Sequence, residues 1–290
     1  MKSSYALCVP DRKADNMLIS TNSGLYSARP NELRVPMADA MRFFGQAGFE
    51  AVDVNFCAVI YTEPFKHEPV LDGDWQKNMD EVLAAIHEAG LQISHTHLPF
   101  YDMLMEDQER LEFCNRMMTL SIDASAYIGA PYAVVHPLRD SKKTLLTKET
   151  IDLMRPFAEY ARAKGVTLCM ENMYTTSAEE IIAIADALQC GICWDAGHAN
   201  FGGFEQYESV MKLGDRLKVL HLHDNYGTRD DHSLPYLGTL DWDSLLRALK
   251  DVGYKGTFNY EVAASKLPMA LRMDHARYMV DAARDMLAKF

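Results

Sequence analysis

The chain has 290 residues, of which 48% are hydrophobic, and a net charge of −12. Its length and apolar content suit one large domain with a single core. The 29 basic residues are outnumbered by 41 acidic ones and form no basic run, which argues against nucleic acid as a partner. A mean hydropathy of −0.19 and the lack of a long apolar run argue against a membrane span. Residues 1–16 lack the apolar stretch of a signal peptide, so we expect a cytoplasmic protein.

Strand-like and helix-like segments alternate along the chain from residue 17 onward. Short apolar runs predict eight strands, at 17–21, 50–56, 91–97, 131–136, 166–171, 190–195, 216–222 and 256–261. Apolar residues at helical spacing predict eight helices, at 36–47, 76–89, 107–128, 148–164, 178–187, 204–213, 242–251 and 268–288. Strict alternation predicts a parallel sheet, because parallel neighbours need crossover helices. We therefore expect one domain over 17–290, preceded by an N-terminal extension over 1–16.

Six residues of metal-ligand type stand at or next to the carboxyl ends of six predicted strands. They are His97, His136, Glu171, Asp195, His221 and Glu261. An open sheet could hardly bring six strand ends to one point, whereas a closed barrel of parallel strands does so. No GxGxxG follows the first strand, and no phosphate-binding P-loop occurs. The pattern predicts an α/β fold, a (β/α)8 TIM barrel, in which these side chains face one pocket that holds a divalent metal.

Glu171 and Glu261 are the carboxylates at the ends of predicted strands five and eight. A buried carboxylate needs a cation or a salt-bridge partner, because desolvation penalises an isolated charge. An ion pair with a Lys or Arg of the barrel is the ordinary explanation for one such residue. Two of them, accompanied by several His at equivalent positions, favour a metal site instead.

The segment CWDAGHAN (193–200) places Asp195 at a strand end and His198 in the following turn. From that turn, His198 could return toward the same pocket. The alternative is that Asp195 caps the next helix.

Two predicted strands carry pairs of histidines at alternate positions. His221 and His223 would both face the barrel interior. One of them would reach the metal, and the other would be a supporting contact, a substrate contact or a satisfied core histidine. His97 stands nearer its strand end than His95, so we assign His97 to the pocket and His95 to the core.

Other residues of chemical interest have ordinary explanations. Cys190 and Cys193 form a CxxC that could indicate zinc or redox chemistry, but no second CxxC accompanies it. Both thiols fall in a predicted strand, which favours a place in or near the core. We assign His67, His87 and His275 to surface or packing positions, and substrate contact is the alternative for His67.

The donor set leaves the metal open. Three carboxylates with one imidazole form an oxygen-rich set, which favours Mn2+ or Mg2+ over a thiolate-binding metal. Additional imidazoles from His97, His136, His198 and His232 would favour Zn2+.

The motifs that carry these residues resemble a known superfamily. They are MEN (170–172), WDAGHAN (194–200), HLHDNYGTRDDHSLPYLGTLDW (221–242) and NYEV (259–262). Together they resemble the sugar phosphate isomerase/epimerase superfamily. These xylose isomerase-like barrels include endonuclease IV, inosose dehydratase and the ketose 3-epimerases. One departure is Tyr236, which stands where the superfamily usually has a Gly.

The resemblance to the epimerases implies one divalent ion, most simply Mn2+, held by Glu171, Asp195, His221 and Glu261. One Glu would remove a proton beside the substrate carbonyl, and the other would return it on the opposite face. The metal would hold the carbonyl and the neighbouring hydroxyl and stabilise the enediolate. His198 would be a substrate or supporting contact. The implied partner is a small-molecule sugar, sugar phosphate or cyclitol.

The resemblance to endonuclease IV implies a larger, three-zinc set for hydrolysis at abasic DNA. Its further ligands are matched by His97, His136, His198, Asp230 and His232. The acidic charge favours sugar chemistry over DNA. A dehydratase of the inosose type is a further alternative, because its reaction begins with the same proton abstraction. The sequence does not specify whether the protein forms a homo-oligomer.

Two arginines lie near these motifs on predicted loops at the carboxyl face. Arg139 and Arg229 could each meet a phosphate or a sugar oxygen. The alternative for both is a solvated surface charge.

Overall fold

A computed structural model describes residues 17–26, 35–57, 68–101, 103–140, 142–264 and 267–289. The predicted N-terminal extension and His67 lie outside the described residues. The described strands are β1 (Ile19–Asn22), β2 (Ala51–Asn55), β3 (Gln92–His97), β4 (Tyr132–Val135), β5 (Thr167–Glu171), β6 (Gly191–Asp195), β7 (Leu217–His221) and β8 (Phe258–Tyr260). The described helices are α1 (Met37–Ala47), α2 (Trp75–Glu88), α3 (Gln108–Tyr127), α4 (Thr147–Ala163), α5 (Ala178–Leu188), α6 (Ala196–Gly202), α7 (Gln206–Leu213), α8 (Trp242–Val252) and α9 (Met269–Leu287).

All eight strands join in one parallel sheet, in the order β7-β6-β5-β4-β3-β2-β1-β8. Hydrogen bonds just beyond β7 close this sheet on itself. The Leu222 amide donates to the Asn259 carbonyl at 2.9 Å, and the Glu261 amide donates to the Leu222 carbonyl at 3.0 Å. The fold is therefore a TIM barrel in a single domain, as the alternating segments predicted.

The strand register determines the level of each site residue along the barrel axis. Asp195 on β6 pairs with His221 on β7, and Glu171 on β5 pairs with Cys193 on β6. His97, Glu171, Asp195 and His221 each end their strand. The carboxyl ends of the strands thus gather these side chains at one mouth of the barrel.

The apolar residues form two layers, one outside and one inside the ring of strands. The outer layer packs strands against helices and includes the fully buried Trp194 and Phe44. The inner layer consists of Val134, Cys169, Cys193 and Val219, which fill the barrel below the site.

The thiols of the CxxC are free, and Cys193 is buried whereas Cys190 is partly buried. Burial raises the pKa of Cys190 to about 12. Burial raises the pKa of Cys193 as well, so both thiols are protonated. Their burial matches the core interpretation.

The described elements follow the predicted ones to within two residues at each boundary. The exception is α6, which the sequence analysis treated as a turn. It begins directly after β6, because the Asp195 carboxylate accepts a hydrogen bond from the His198 amide at 2.6 Å. His87 is exposed on α2, and His275 is partly buried on α9, as expected. Within the described ranges, no helix is long and apolar enough to cross a membrane.

Candidate metal centre

Glu171 lies at the middle of the first group of site residues and is fully buried. Its Oε2 atom lies 3.0 Å from His136 Nε2 and 3.3 Å from His97 Nε2. Its Oε1 atom lies 3.2 Å from His221 Nδ1. Three histidines from three other strands therefore surround one carboxylate.

Glu261 approaches the same group from β8. Its Oε2 atom lies 3.2 Å from His221 Nδ1, so both glutamates meet the same ring nitrogen. The donor atoms of His97, His221 and Glu261 lie within 4.8 Å of one another, and so do those of His97, His136 and Glu171. The two predicted acid–base carboxylates thus share one cluster of imidazoles.

A second group of donors lies beside the first. The donor atoms of His198, His223, Asp230 and His232 also lie within 4.8 Å of one another. Asp230 Oδ2 is 3.2 Å from His198 Nε2, and Asp230 Oδ1 is 3.4 Å from His232 Nε2. The rings of His223 and His232 are stacked, with centroids 3.9 Å apart.

Asp195 lies between the two groups and has two roles. Its Oδ1 atom caps α6 through the His198 amide and lies 3.1 Å from His223 Nε2. Its Oδ2 atom is buried, has no hydrogen-bond partner in the part of the chain that the structure describes, and lies 3.6 Å from His198 Nδ1. Asp195 therefore caps α6, and the same carboxylate also lies beside His198 and His223.

His198 connects the two groups. Its Nδ1 atom donates to the Asn172 carbonyl at 2.9 Å and lies 3.5 Å from Glu171 Oε1, while Nε2 faces Asp230. The Asn172 side chain in turn pairs with both backbone groups of Asp195, at 2.7 and 2.9 Å. The MEN and WDAGHAN motifs are thereby fixed against each other.

Asp53 and His95 also belong to the first group through a contact with His221, which was not predicted from the sequence. His95 is buried as predicted, but its Nε2 atom lies 3.3 Å from His221 Nε2 and 3.6 Å from Asp53 Oδ2. Ser94 holds the other ring nitrogen of His95 at 2.9 Å. A lone Asp inside the apolar run AVDVN was the available clue, because a charged residue inside a core strand needs compensation.

Electrostatics in the first group favour positive charge near the carboxylates. Burial alone would raise the pKa of Glu171, but His221 and His136 outweigh burial and hold it well below its usual value. Burial likewise opposes protonation of His221, yet its negative neighbours, including Glu261, raise its pKa well above the usual value. At Asp53 burial outweighs the opposing effect of His221 and His97, and it raises the pKa to about 7.

In the second group, too, carboxylates raise the pKa of the neighbouring imidazoles and so favour their positively charged form. Burial lowers the pKa of His198 and His232, but Asp195 and Asp230 raise the former to about 10, and Asp230 and Glu261 raise the latter to about 9. Hydrogen bonds from both imidazoles outweigh burial and lower the pKa of Asp230. Without a metal, protons on these imidazoles balance the carboxylates.

A divalent cation fits these residues. Several buried polar atoms of the site have no hydrogen-bond partner among the described residues, namely Asp195 Oδ2, His136 Nδ1 and both ring nitrogens of His223. Imidazole nitrogens and carboxylate oxygens are the ligands that Zn2+ and Mn2+ take in proteins. A metal would satisfy such atoms and would replace the protons that the buried carboxylates otherwise require.

Both groups open on a cavity of about 360 Å3 at the carboxyl-terminal mouth of the barrel. Glu171, Glu261 and Arg139 are among its lining residues. Arg229 is not among the described lining residues. It is 81% exposed and pairs with Asp231, which matches the surface alternative. Tyr236 has a φ of 66°, a left-handed value that explains why a Gly would suit this position.

The fold and the site together define a class of protein, a TIM barrel with a buried cluster of His and carboxylate side chains at its carboxyl-terminal mouth. The sequence pattern of the xylose isomerase-like TIM barrel family matches residues 42–289. The chain belongs to this family, which confirms the resemblance drawn from the motifs.

Comparison with known proteins gives relatives that include an epimerase and a probable endonuclease. The chain is 25% identical over 175 residues to fructoselysine 3-epimerase of Shigella flexneri, covering 56% of this chain and 63% of that protein. It is 28% identical over 165 residues to a probable endonuclease 4 of Mesomycoplasma hyopneumoniae, covering 49% of this chain and 59% of that protein. The chain spans about three fifths of the length of the curated relatives it matches first.

Among solved structures, the chain resembles a D-tagatose 3-epimerase-like protein. The TM-score is 0.72 at 18% identity, over 94% of this chain and 99% of that one. At this low identity, the likeness shows a common fold alone.

Proposed function

We propose that the protein is a metal-dependent isomerase or epimerase of a sugar, sugar phosphate or cyclitol. One observation carries the proposal: Glu171 and Glu261 both lie 3.2 Å from His221 Nδ1 on the wall of a cavity large enough for a sugar. Two carboxylates in one such cavity can move a proton away from and back to a carbon beside a carbonyl. The name of one relative, fructoselysine 3-epimerase, supports the same chemistry.

The two glutamates would divide the proton transfers. One carboxylate takes the proton from the carbon next to the carbonyl, and the electron pair of the broken C–H bond forms the enediolate. The other glutamate, in its protonated form, returns a proton to the opposite face of that carbon. His97 and His136 hold Oε2 of Glu171 and so leave its orientation fixed during transfer.

Glu171, Asp195, His221 and Glu261 would hold the metal. When bound, a divalent ion supplies Lewis-acid stabilisation of the negative charge that develops on the substrate oxygens. His198 would orient Asp195 and contact the substrate from the cavity wall. Mn2+ is the simplest candidate for this carboxylate-rich set, and Zn2+ or Mg2+ are the alternatives.

Solvent isotope exchange tests the proposal. Protein shown to contain metal is incubated in D2O with a panel of ketoses, ketose phosphates and inososes, and deuterium is followed by NMR at the carbon next to the carbonyl. We expect wash-in with at least one substrate. No exchange with any of them would remove the isomerase and epimerase proposal. Exchange accompanied by loss of water would identify the dehydratase variant.

Metal-dependent phosphodiester hydrolysis at abasic DNA is the second candidate. The group formed by His198, His223, Asp230 and His232 favours it, because it offers donors for further zinc ions beside the first group. The endonuclease 4 relatives support it by name. Zinc analysis and a nicking assay on an abasic duplex test it, and one ion per chain without nicking would remove it.

A further inference from the structure

We propose that Arg139 forms an anion-binding subsite in the cavity and that the substrate presents a phosphate or carboxylate group to it. The inference deepens the proposed function, on which it rests for the ligand being a sugar. It assigns the substrate to the anionic class, sugar phosphates or sugar acids, rather than to neutral ketoses.

The backbone that carries Arg139 is held firmly in place. Arg139 follows β4 by four residues and forms an isolated antiparallel bridge with Leu145. The Leu146 amide donates to the Leu138 carbonyl at 2.9 Å, and the Leu138 amide donates to Thr150 Oγ1, also at 2.9 Å. These bonds fix the point from which the side chain enters the cavity wall.

Two aromatic rings from other loops position the guanidinium. Its central carbon lies 5.3 Å from the ring centroid of Tyr174, after β5, and 6.0 Å from that of Phe100, after β3. Cation–π contacts of this kind hold an arginine without using its N–H groups. The donors of Arg139 are therefore left for another partner.

Among the residues that the structure describes, those donors have no partner. The Nε and Nη1 atoms of Arg139 are buried and make no hydrogen bond, and no ion pair of Arg139 occurs within the described ranges. A buried unpaired donor on a charged group is costly. Because the planar guanidinium fork matches carboxylate and phosphate oxygens, an anionic ligand group would satisfy both atoms.

The charges of the cavity fix where such an anion lies. Glu171, Asp230 and Glu261 make one side of the wall negative, and Arg139 is the sole Lys or Arg among the described lining residues. An anionic group is attracted to Arg139 and repelled by the carboxylates. The carbonyl end of the substrate would then face Glu171 and Glu261.

Calorimetric titration tests this assignment on the metal-loaded protein. The probes are D-fructose 6-phosphate, D-fructuronate and D-fructose. We expect at least one anionic probe to bind roughly 10-fold or more tightly than fructose, since charge-assisted bonds to a buried guanidinium are strong. Arg139→Gln should weaken that binding by ~10–100-fold and leave fructose binding within about 2-fold.

Two further variants control the experiment. Arg247→Gln removes a surface arginine that also stacks on a tyrosine, Tyr207, at 5.2 Å, and should leave all three affinities unchanged. Arg139→Lys keeps the charge but loses the fork, so it should retain part of the phosphate affinity. Thermal melting of each variant establishes that it is folded.

Several results would overturn the inference. They are equal anion affinity in the wild type and Arg139→Gln, fructose binding as tight as the anions, and no binding of any probe. Binding of an abasic DNA duplex that depends on Arg139, without Arg139-dependent binding of the sugar probes, would also overturn it, in favour of nucleic acid as the ligand. Deuterium wash-in separates this failure from that of the proposed function. Exchange of fructose 6-phosphate that Arg139→Gln leaves undiminished would refute the subsite alone, whereas Arg139-dependent anion binding without exchange of any substrate would refute the isomerase chemistry alone.

Discussion

The Nδ1 atom of His221 lies 3.2 Å from the Oε1 atom of Glu171, and both side chains are fully buried. The two residues are fifty positions apart in the chain and are brought together because β5 and β7 both pair with β6 in the sheet. Glu171 also contacts His97 and His136, and His221 also contacts Glu261. A change at either residue therefore alters the charge balance of the whole buried group. Substitutions here are therefore expected to act on chemistry and on metal retention together.

Glu171→Gln should lower isotope exchange by ~10^2–10^4-fold, because the amide cannot accept or return a proton. The rate is measured by NMR in D2O, on variant protein with its metal content determined. Glu179→Gln is the matched control, since Glu179 is an exposed glutamate on α5 that pairs with Lys212. Exchange by Glu171→Gln at more than a tenth of the wild-type rate would contradict an acid–base role.

Metal binding to the stripped protein should release protons at pH 7. Carboxylates raise the pKa of His198 to about 10 and that of His232 to about 9, so both imidazoles are protonated in the metal-free protein. A metal takes the neutral imidazole, so zinc affinity should rise with pH up to the region of pH 9. Calorimetry in two buffers of different ionisation enthalpy counts the protons. Zinc binding to His232→Asn should release about one proton fewer than binding to the wild type. An unchanged proton count would refute the protonation of His232 in the metal-free protein.

The metal-free protein should also lose stability between pH 7 and pH 10. A histidine whose pKa is raised on folding stabilises fully below its unfolded value of about 6.5 and loses that contribution as pH rises through the folded value. His198 and His232 therefore stabilise the metal-free fold at pH 6.5 and cease to do so by about pH 10. Thermal melting across this range measures the loss. A midpoint that does not fall would show that these imidazoles are neutral in the fold.

Gly197→Ala should disturb the second group of donors through sterics. A Cβ atom at Gly197 would overlap the imidazole ring of His223, so that ring must move. We expect a loss of ~1–3 kcal/mol in the free energy of unfolding and weaker zinc binding in a competition titration with a chromophoric chelator. Gly129→Ala is the control. It is strained by its φ of 78° but meets open space, so it should lower stability and leave zinc affinity unchanged.

Asp224→Asn should destabilise the loop over 223–241. Asp224 is buried, and its carboxylate accepts hydrogen bonds from the Trp242 indole at 3.1 Å and from the Leu240 amide at 3.0 Å. The asparagine amide nitrogen cannot accept the indole N–H, so we expect a loss of ~1–3 kcal/mol. Urea unfolding followed by tryptophan fluorescence measures it. Asp231→Asn breaks an exposed ion pair instead and should cost at most about 1 kcal/mol; equal losses in both variants would refute this role for Asp224.

The sequence was informative about the fold because strands of a parallel barrel are buried on both faces. Short apolar runs such as GICWD therefore marked strands such as β6 without ambiguity, and His97, Glu171, Asp195 and His221 marked where four of them end. Since strand ends meet at one mouth of a closed barrel, the gathering of these side chains could be predicted as well.

Other parts of the site depend on tertiary contacts that leave no pattern in the sequence. The contact of His95 with His221 and Asp53 depends on which ring nitrogens face each other across the barrel. The helix α6 has Gly at 197 and 202 and no helical apolar pattern, so its formation depends on capping by Asp195. The free donors of Arg139 could not be distinguished from the paired ones of Arg229 until their neighbours were known.

Leu222 has a consequence for how the site is assembled. It stands between His221 and His223 in the chain, and its amide and carbonyl make the two hydrogen bonds that join β7 to the β8 edge. The junction between β7 and β8 therefore has histidines on the β7 side and Glu261 on the β8 side. A fluctuation that breaks the hydrogen bonds between β7 and β8 separates the histidines from Glu261. A cation bound to both sides would therefore oppose this local unfolding and slow the opening of the barrel.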